Sequence, residues 1–217
     1  MVFIKLQERR ILISETPHQK ATVLLKRLIK LIINRKQRCN IALAGGQTPL
    51  ELYRMLSLTT LPWENLHFYI GDERYFKLDS NLINYKAVKQ RLGDKSKLSF
   101  FKTELEPQDC ALDYDVQLPE YLDLALLGLG EDGHTASLFN PIHKITKKVC
   151  VSKSPDGLLR ISLTDEYLSL SCYIIFLFTS ERKKEAFGKL LSNRWPAGSI
   201  LGRNRTYVIT NIKPPKI

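Results

Sequence analysis

Residues 124–139 read LALLGLGEDGHTASLF. An apolar run enters a turn whose glycines, Gly128, Gly130 and Gly133, enclose Asp132 and lead to His134. An apolar run without polar alternation is a strand buried on both faces, as in a parallel sheet. Glycines let the backbone fold tightly after it, and Thr135–Phe139 is expected to open a short helix. Strand, glycine turn and helix in that order form the βα junction of an open α/β sheet, where ligands bind beyond the carboxyl ends of the strands.

The same unit recurs along the chain. NIALA (40–44) is a short buried strand, broken by GGQTP and followed by a helix in LELYRML (50–56). LHFYI (66–70) is a second strand, ending at GDER (71–74), and LDLALL (122–127) is a third. LLRISL (158–163), CYIIFLF (172–178) and TYVIT (206–210) are further strands. Helices are expected at 80–92, opened by a Ser/Asn cap, and at 181–191. The first helix opens at Thr16-Pro17, an N-cap followed by proline at the first helical position. Leu24, Leu28, Leu31 and Ile32, widened by Leu25 and Ile29, give it an apolar stripe ending near Asn34. Residues 1–13 read as an edge strand. There is no internal repeat and no low-complexity linker. The expectation is one domain over 1–217: α/β, a doubly wound, mostly parallel sheet with helices on both faces.

Composition fits that reading. The 217 residues are 44% hydrophobic and 25% charged, ordinary for a globular domain. No apolar run approaches the ~20 residues needed to span a bilayer, and the charges inside MVFIKLQERRILI make a poor signal peptide. Cys39, Cys110, Cys150 and Cys172 form no CxxC pair and have no histidine at ligand spacing, so free thiols in a cytoplasmic protein are expected, and no metal. The net charge of +11 raises the question of nucleic acid. Its distribution answers it. Residues 1–38 hold ten Lys or Arg against two acids, residues 182–217 nine against one, and the stretch between is net acidic. Lys26, Arg27 and Lys30 share one side of the first helix, as a solvated face would require. No aromatic residues interleave with the basic ones as in an RNA-binding sheet. A basic surface with no nucleic-acid or membrane role is expected, on a monomer, with an oligomer as the alternative.

Three strands end in unusual loops that should meet at one edge. In AGGQTPLELY, Gly45 and Gly46 leave backbone N–H groups open to a ligand, and the helix start adds partial positive charge. Gln47 and Thr48 follow, and Thr48 either caps the helix or bonds a phosphate oxygen. A tight turn with no ligand is the alternative. In GDER, Arg74 suits a phosphate, a carboxylate or an oxyanion, with Asp72 to orient it; an ion pair at the sheet edge reads equally well. In GLGEDGHTASLF, His134 can take a proton from water near neutral pH, and Asp132 can fix its tautomer. Arg160 and Lys183 are further candidates for an anionic ligand at the same edge. His18, His67 and His143 sit in unremarkable settings. With no Gly-x-Ser-x-Gly elbow and no suitably placed cysteine, an activated water acting on a small phosphorylated substrate is the natural chemistry.

The combination AGGQTP, GDERYF…SN and LALLGLGEDGHTASLF resembles the 6-phosphogluconolactonase family. SKSPDGLLRISLT (152–164), FTSERKKEAF (178–187) and WPAGSIL (195–201) are similar to further motifs of that family, in register from about residue 17 to 201. The related glucosamine-6-phosphate deaminases share the Asp-Gly-His loop, but there Ile-Ala-Phe-Asn-Glu-Pro follows the His, where this chain has the lactonase form Thr-Ala-Ser-Leu-Phe. The resemblance implies hydrolysis of 6-phosphoglucono-1,5-lactone to 6-phosphogluconate without cofactor or metal. It implies that Gly45, Gly46, Gln47 and Thr48 bind the phosphate, helped by Arg160 and Lys183. It further implies that His134 and Asp132 activate water, and that Arg74 and Asp72 serve substrate or oxyanion. Ala44 stands where the family has Ser, Ser180 where it has Gly and Asn140 where it has Pro. The 104–120 segment is short, and the C-terminus lacks the usual Trp-x-x-Asp. A deaminase-like sugar-phosphate enzyme and a phosphosugar-binding relative without turnover are the competing readings.

Overall fold

A computed structural model describes residues 2–6, 9–78, 80–140 and 142–215. Strands β1 (Val2–Leu6) and β2 (Arg9–Ile13) precede helix α1 (Pro17–Lys36). Then come β3 (Cys39–Leu43), α2 (Gln47–Ser57), β4 (Leu66–Ile70), β5 (Asp72–Arg74), α3 (Asn84–Leu92), β6 (Lys97–Ser99) and α4 (Pro107–Gln117). The second half runs β7 (Leu124–Leu127), β8 (Ile142–Lys144), β9 (Val149–Lys153), β10 (Leu159–Leu163), α5 (Asp165–Ser169), β11 (Tyr173–Phe178), α6 (Lys184–Leu191) and β12 (Arg205–Thr210).

The main sheet has the order β1-β2-β12-β11-β7-β3-β4-β6. Every pair in it is parallel except β1–β2. The doubly wound α/β reading is therefore correct. Its central strands β7 and β11 are buried on both faces, as their unbroken apolar runs require: Leu124–Leu127 and Ile174–Phe178 are at most 2% exposed. Neighbouring residues of β2 mark the two covered sides. Arg9 turns toward Asn193 and Gly198, beyond α6, and Arg10 toward α1. From β3 the chain winds outward through β4 and β6, then returns to β7 on the other side of β3 and winds the opposite way. The loops after β3 and β7 diverge at this switch point, where such sheets open a crevice.

Several expectations need correction. The segment 1–13 is not one edge strand but the antiparallel pair β1–β2; Met1, Gln7 and Glu8 lie outside the described residues. LLRISL does not enter the main sheet. As β10 it belongs to a four-stranded antiparallel sheet, β5-β10-β9-β8, together with the DER of GDER. The buried stripe of α1 is Ala21, Leu25, Leu28, Ile29 and Ile32, while Leu31 is 38% exposed. No helix follows His134; Ala136 adopts a left-handed φ of 49°, which a helix excludes. The Ser/Asn stretch at 80–81 does not cap α3, which starts at Asn84 with Ile83 before it. The segment 181–191 is a 3-10 turn (Glu181–Lys183) leading into α6.

Candidate active site

The glycine loop is built by the end of β3 and the start of α2. Gly46, at φ 89°, turns the chain directly into the helix, so α2 begins at Gln47 and Thr48 sits inside its first turn rather than capping it. The loop is fixed from behind. Tyr53, fully buried in α2, donates its hydroxyl to the Ala44 carbonyl at 2.8 Å. His18 of α1 holds the Thr48 carbonyl through Nε2 at 3.1 Å. Asn84 lies so close over Gly45 that a Cβ there would fall 2.1 Å from its amide oxygen. A side chain at position 45 would displace Asn84.

The loop after β7 carries the dyad. His134 Nδ1 lies 2.5 Å from Asp132 Oδ1, and the same oxygen accepts the His134 backbone N–H at 3.1 Å. Facing a carboxylate, Nδ1 carries the hydrogen, which leaves the Nε2 lone pair for the cavity. The Gly130 N–H donates to the His134 carbonyl at 2.7 Å and closes the turn. Phe139 packs its ring 4.3 Å from the imidazole centroid. Burial pushes the Asp132 carboxyl upward, but the His134 N–H and imidazole pull it further down, so it stays below the usual carboxylate range.

The small sheet brings the cations. Arg74 of β5 and Arg160 of β10 are paired in register, so two guanidinium groups line one wall. Arg74 donates to the Leu82 carbonyl at 2.6 Å. Arg160 has a buried Nη1 with no hydrogen-bond partner among the described residues. Burial, and then the neighbouring Arg74, lower the Arg160 pKa. Lys183 ends the 3-10 turn before α6, and burial lowers its pKa as well. Cations held this way, short of counter-ions, gain most from an anion that enters. Asp72 does not orient Arg74 by a hydrogen bond. Its carboxylate accepts the Ser137 hydroxyl at 2.7 Å, and burial raises its pKa.

Gly45, Gly46, Gln47, Thr48, Asp72, Arg74, Asp132, His134, Arg160 and Lys183 all line one cavity of about 460 Å³. Every candidate residue is therefore brought to one place. The sequence reading missed Asn84, Ser137, Phe139 and the Pro155–Asp156 hairpin tip, which line it too. Asn84 lies in the polar SNLIN stretch, and Ser137 and Phe139 lie in GLGEDGHTASLF itself. The Pro155–Asp156 tip, which joins β9 to β10, depends on how the small sheet folds over the mouth. Among the described residues no group of three or more His, Cys, Asp or Glu is placed to hold a metal ion. The four cysteines are free thiols, three of them buried. No helix among those residues is long and apolar enough to cross a membrane.

Comparison with known proteins identifies the family. The family model described as glucosamine-6-phosphate isomerases/6-phosphogluconolactonase matches residues 14–209. A 6-phosphogluconolactonase of Thermotoga maritima is 29% identical over 187 residues, covering 81% of this chain and 85% of that protein. One from Synechocystis is 31% identical over 184 residues, covering 76% of each. The crystal structure of a Thermotoga maritima 6-phosphogluconolactonase superposes with a TM-score of 0.85 at 25% identity, over 93% of this chain and 98% of that one. The chain belongs to the glucosamine-6-phosphate isomerase/6-phosphogluconolactonase family.

Proposed function

We propose that the protein is a 6-phosphogluconolactonase, hydrolysing 6-phospho-D-glucono-1,5-lactone to 6-phospho-D-gluconate, and that His134 activates the water. The observation that supports the mechanism is the 2.5 Å His134–Asp132 contact in a cavity rich in cations: in the neutral imidazole it favours the proton on Nδ1, so that Nε2 can act as the base. The curated relatives named 6-phosphogluconolactonase support the substrate.

In this reading the substrate phosphate binds the backbone N–H groups at Gly46–Thr48, where α2 begins, with Lys183 and Arg160 beside it. His134 Nε2 takes a proton from water as the water oxygen attacks the lactone carbonyl. Asp132 stabilises the imidazolium that forms. Arg74 faces the tetrahedral oxyanion. The intermediate collapses by breaking the bond from C1 to the ring oxygen, and the imidazolium returns its proton to that oxygen. The product carboxylic acid then ionises. Asp72 and Ser137 accept or donate at the sugar hydroxyls.

The test uses glucose-6-phosphate dehydrogenase to generate the lactone, whose decay is followed with and without the protein. Acceleration that His134→Ala loses supports both substrate and base. Decay at the spontaneous rate overturns the assignment. Release of ammonia from glucosamine 6-phosphate would favour the deaminase branch of the family instead.

A further inference from the structure

A second cavity, of about 340 Å³, lies between α1 and the amino ends of β2, β11 and β12, at the end of the sheet opposite the catalytic loops. Strand register determines its floor. Tyr173 of β11 lies beside Arg205 of β12, and Tyr207 of β12 beside Arg10 of β2. Residues two apart on a strand share a face, so Tyr173, Arg205, Tyr207 and Arg10 make a row in which ring and cation alternate. Arg27 of α1 closes the rim, and Leu24, Leu28 and Leu31 form the helix wall. Leu31 of this wall is 38% exposed.

No Asp or Glu lines the cavity. No ion pair among the described residues uses Arg10, Arg27 or Arg205. Three guanidinium groups from three separate elements, converging without a carboxylate, concentrate positive potential in a concave site. Guanidinium is the side chain best shaped to hold phosphate oxygens two at a time, and it loses little hydration in doing so. The tyrosine rings and leucines between the cations offer flat apolar contact.

We infer that this cavity is a second binding site, for a ligand of the nucleotide class: its phosphates lie on Arg10, Arg27 and Arg205, and its base ring lies against Tyr173, Tyr207 and the α1 leucines. A strand of five or six residues is ~17–20 Å long, so such a ligand binds without reaching the catalytic cavity at the other end.

The experiment is calorimetric titration of the whole protein with ATP in magnesium-free, low-salt buffer, and separately with tripolyphosphate. Arg10→Ala/Arg27→Ala/Arg205→Ala is expected to weaken ATP binding at least tenfold while leaving lactone hydrolysis unchanged. Arg27→Glu alone, at an exposed helix position, is expected to do the same and guards against misfolding of the triple variant. Lys183→Ala, in the catalytic cavity, is expected to leave ATP binding unchanged. Tripolyphosphate is expected to bind at least fivefold more weakly than ATP, because it has no ring for the tyrosines. Absence of ATP binding, insensitivity to the arginine substitutions, or loss of binding in Lys183→Ala would overturn the site. Equal affinity for the two probes would overturn the assignment of the ring.

Discussion

The imidazole of His134 rests on the bare Cα of Gly130. A Cβ built on Gly130 would lie 2.2 Å from Nδ1 of His134 and 2.7 Å from Oδ1 of Asp132. The dyad exists in its present position because residue 130 has no side chain. Gly130→Ala is therefore expected to swing the imidazole out of line while the sheet remains intact. A displacement of about 1 Å at a reacting group costs on the order of 100-fold in rate. Steady-state kinetics should show kcat falling by that amount with KM changed less than about threefold. Unchanged kcat would mean that the loop absorbs the methyl group and that the dyad geometry is not critical.

Asp132 fixes which imidazole nitrogen carries the proton. Asp132→Asn keeps the shape but can present an N–H to Nδ1, which moves the ring proton to Nε2 and removes the base from the cavity. A loss of about 10²–10⁴ in kcat is expected, by analogy with other His–carboxylate pairs. The carboxyl of Asp132 is held below its usual range, chiefly by the His134 N–H and imidazole acting against burial. The sign follows: the pair's stabilisation is present above the ordinary carboxylate pKa and is lost as pH falls through the lowered one. The acid side of the kcat/KM profile should therefore change form in Asp132→Asn. An identical pH profile in wild type and variant would remove Asp132 from the mechanism.

Arg160 and Lys183 face the same cavity from different elements, β10 and the turn before α6. If both hold the phosphate, each single alanine substitution should raise KM roughly tenfold or more with kcat little changed, as loss of a charge-assisted contact of about 1.5–3 kcal/mol requires. A lactone without the phosphate should then be insensitive to either substitution. A fall in kcat alone for Arg160→Ala would assign it to the oxyanion beside Arg74.

The three catalytic-edge loops were legible in the sequence because they interrupt apolar runs. Glycines, Asp72, Arg74, Asp132 and His134 follow strands that can only be buried, and burial of β3, β4 and β7 in one sheet brings the loops together. What was not legible lay in segments with weak periodicity. Strands β6 and β8 have three residues each, too few to show alternation. The α4 helix carries exposed Leu112 and Val116 on a polar face, so its apolar pattern is blurred. The second sheet was missed because nothing local distinguishes LRISL in an antiparallel sheet from a strand of the parallel one; the partner strands decide it. Ser137 and Asn84 are tied into the site by long-range hydrogen bonds, among them one each to the Asp72 carboxylate and backbone carbonyl.

Glu73 was passed over for the same reason, and it is the residue that replaces the expected Ser/Asn cap. It is fully buried, and its carboxylate accepts the backbone N–H groups of Arg74 at 2.8 Å, Asn84 at 2.6 Å and Tyr85 at 2.9 Å. It thereby joins β5 to the start of α3, and so sets both Arg74 and the Asn84 that covers Gly45. Glu73→Ala would leave buried N–H groups unpaired, at about 1–3 kcal/mol for each that water cannot reach. Chemical denaturation should show a loss of about 3 kcal/mol or more, with activity reduced through Arg74. Burial pushes the Glu73 carboxyl up to about 7 from 4.5, against the pull of its three donors. A carboxyl raised on folding binds its proton more tightly in the native state. Its contribution is therefore fully present below about pH 4.5 and is lost as pH rises through about 7, a change of about 3 kcal/mol. Glu73→Gln cannot titrate. The stability of the wild-type protein should fall relative to Glu73→Gln between pH 4.5 and pH 7.5, measured by urea unfolding at each pH. Parallel curves for the two proteins would show that Glu73 titrates alike folded and unfolded, and that its three donors offset its burial completely.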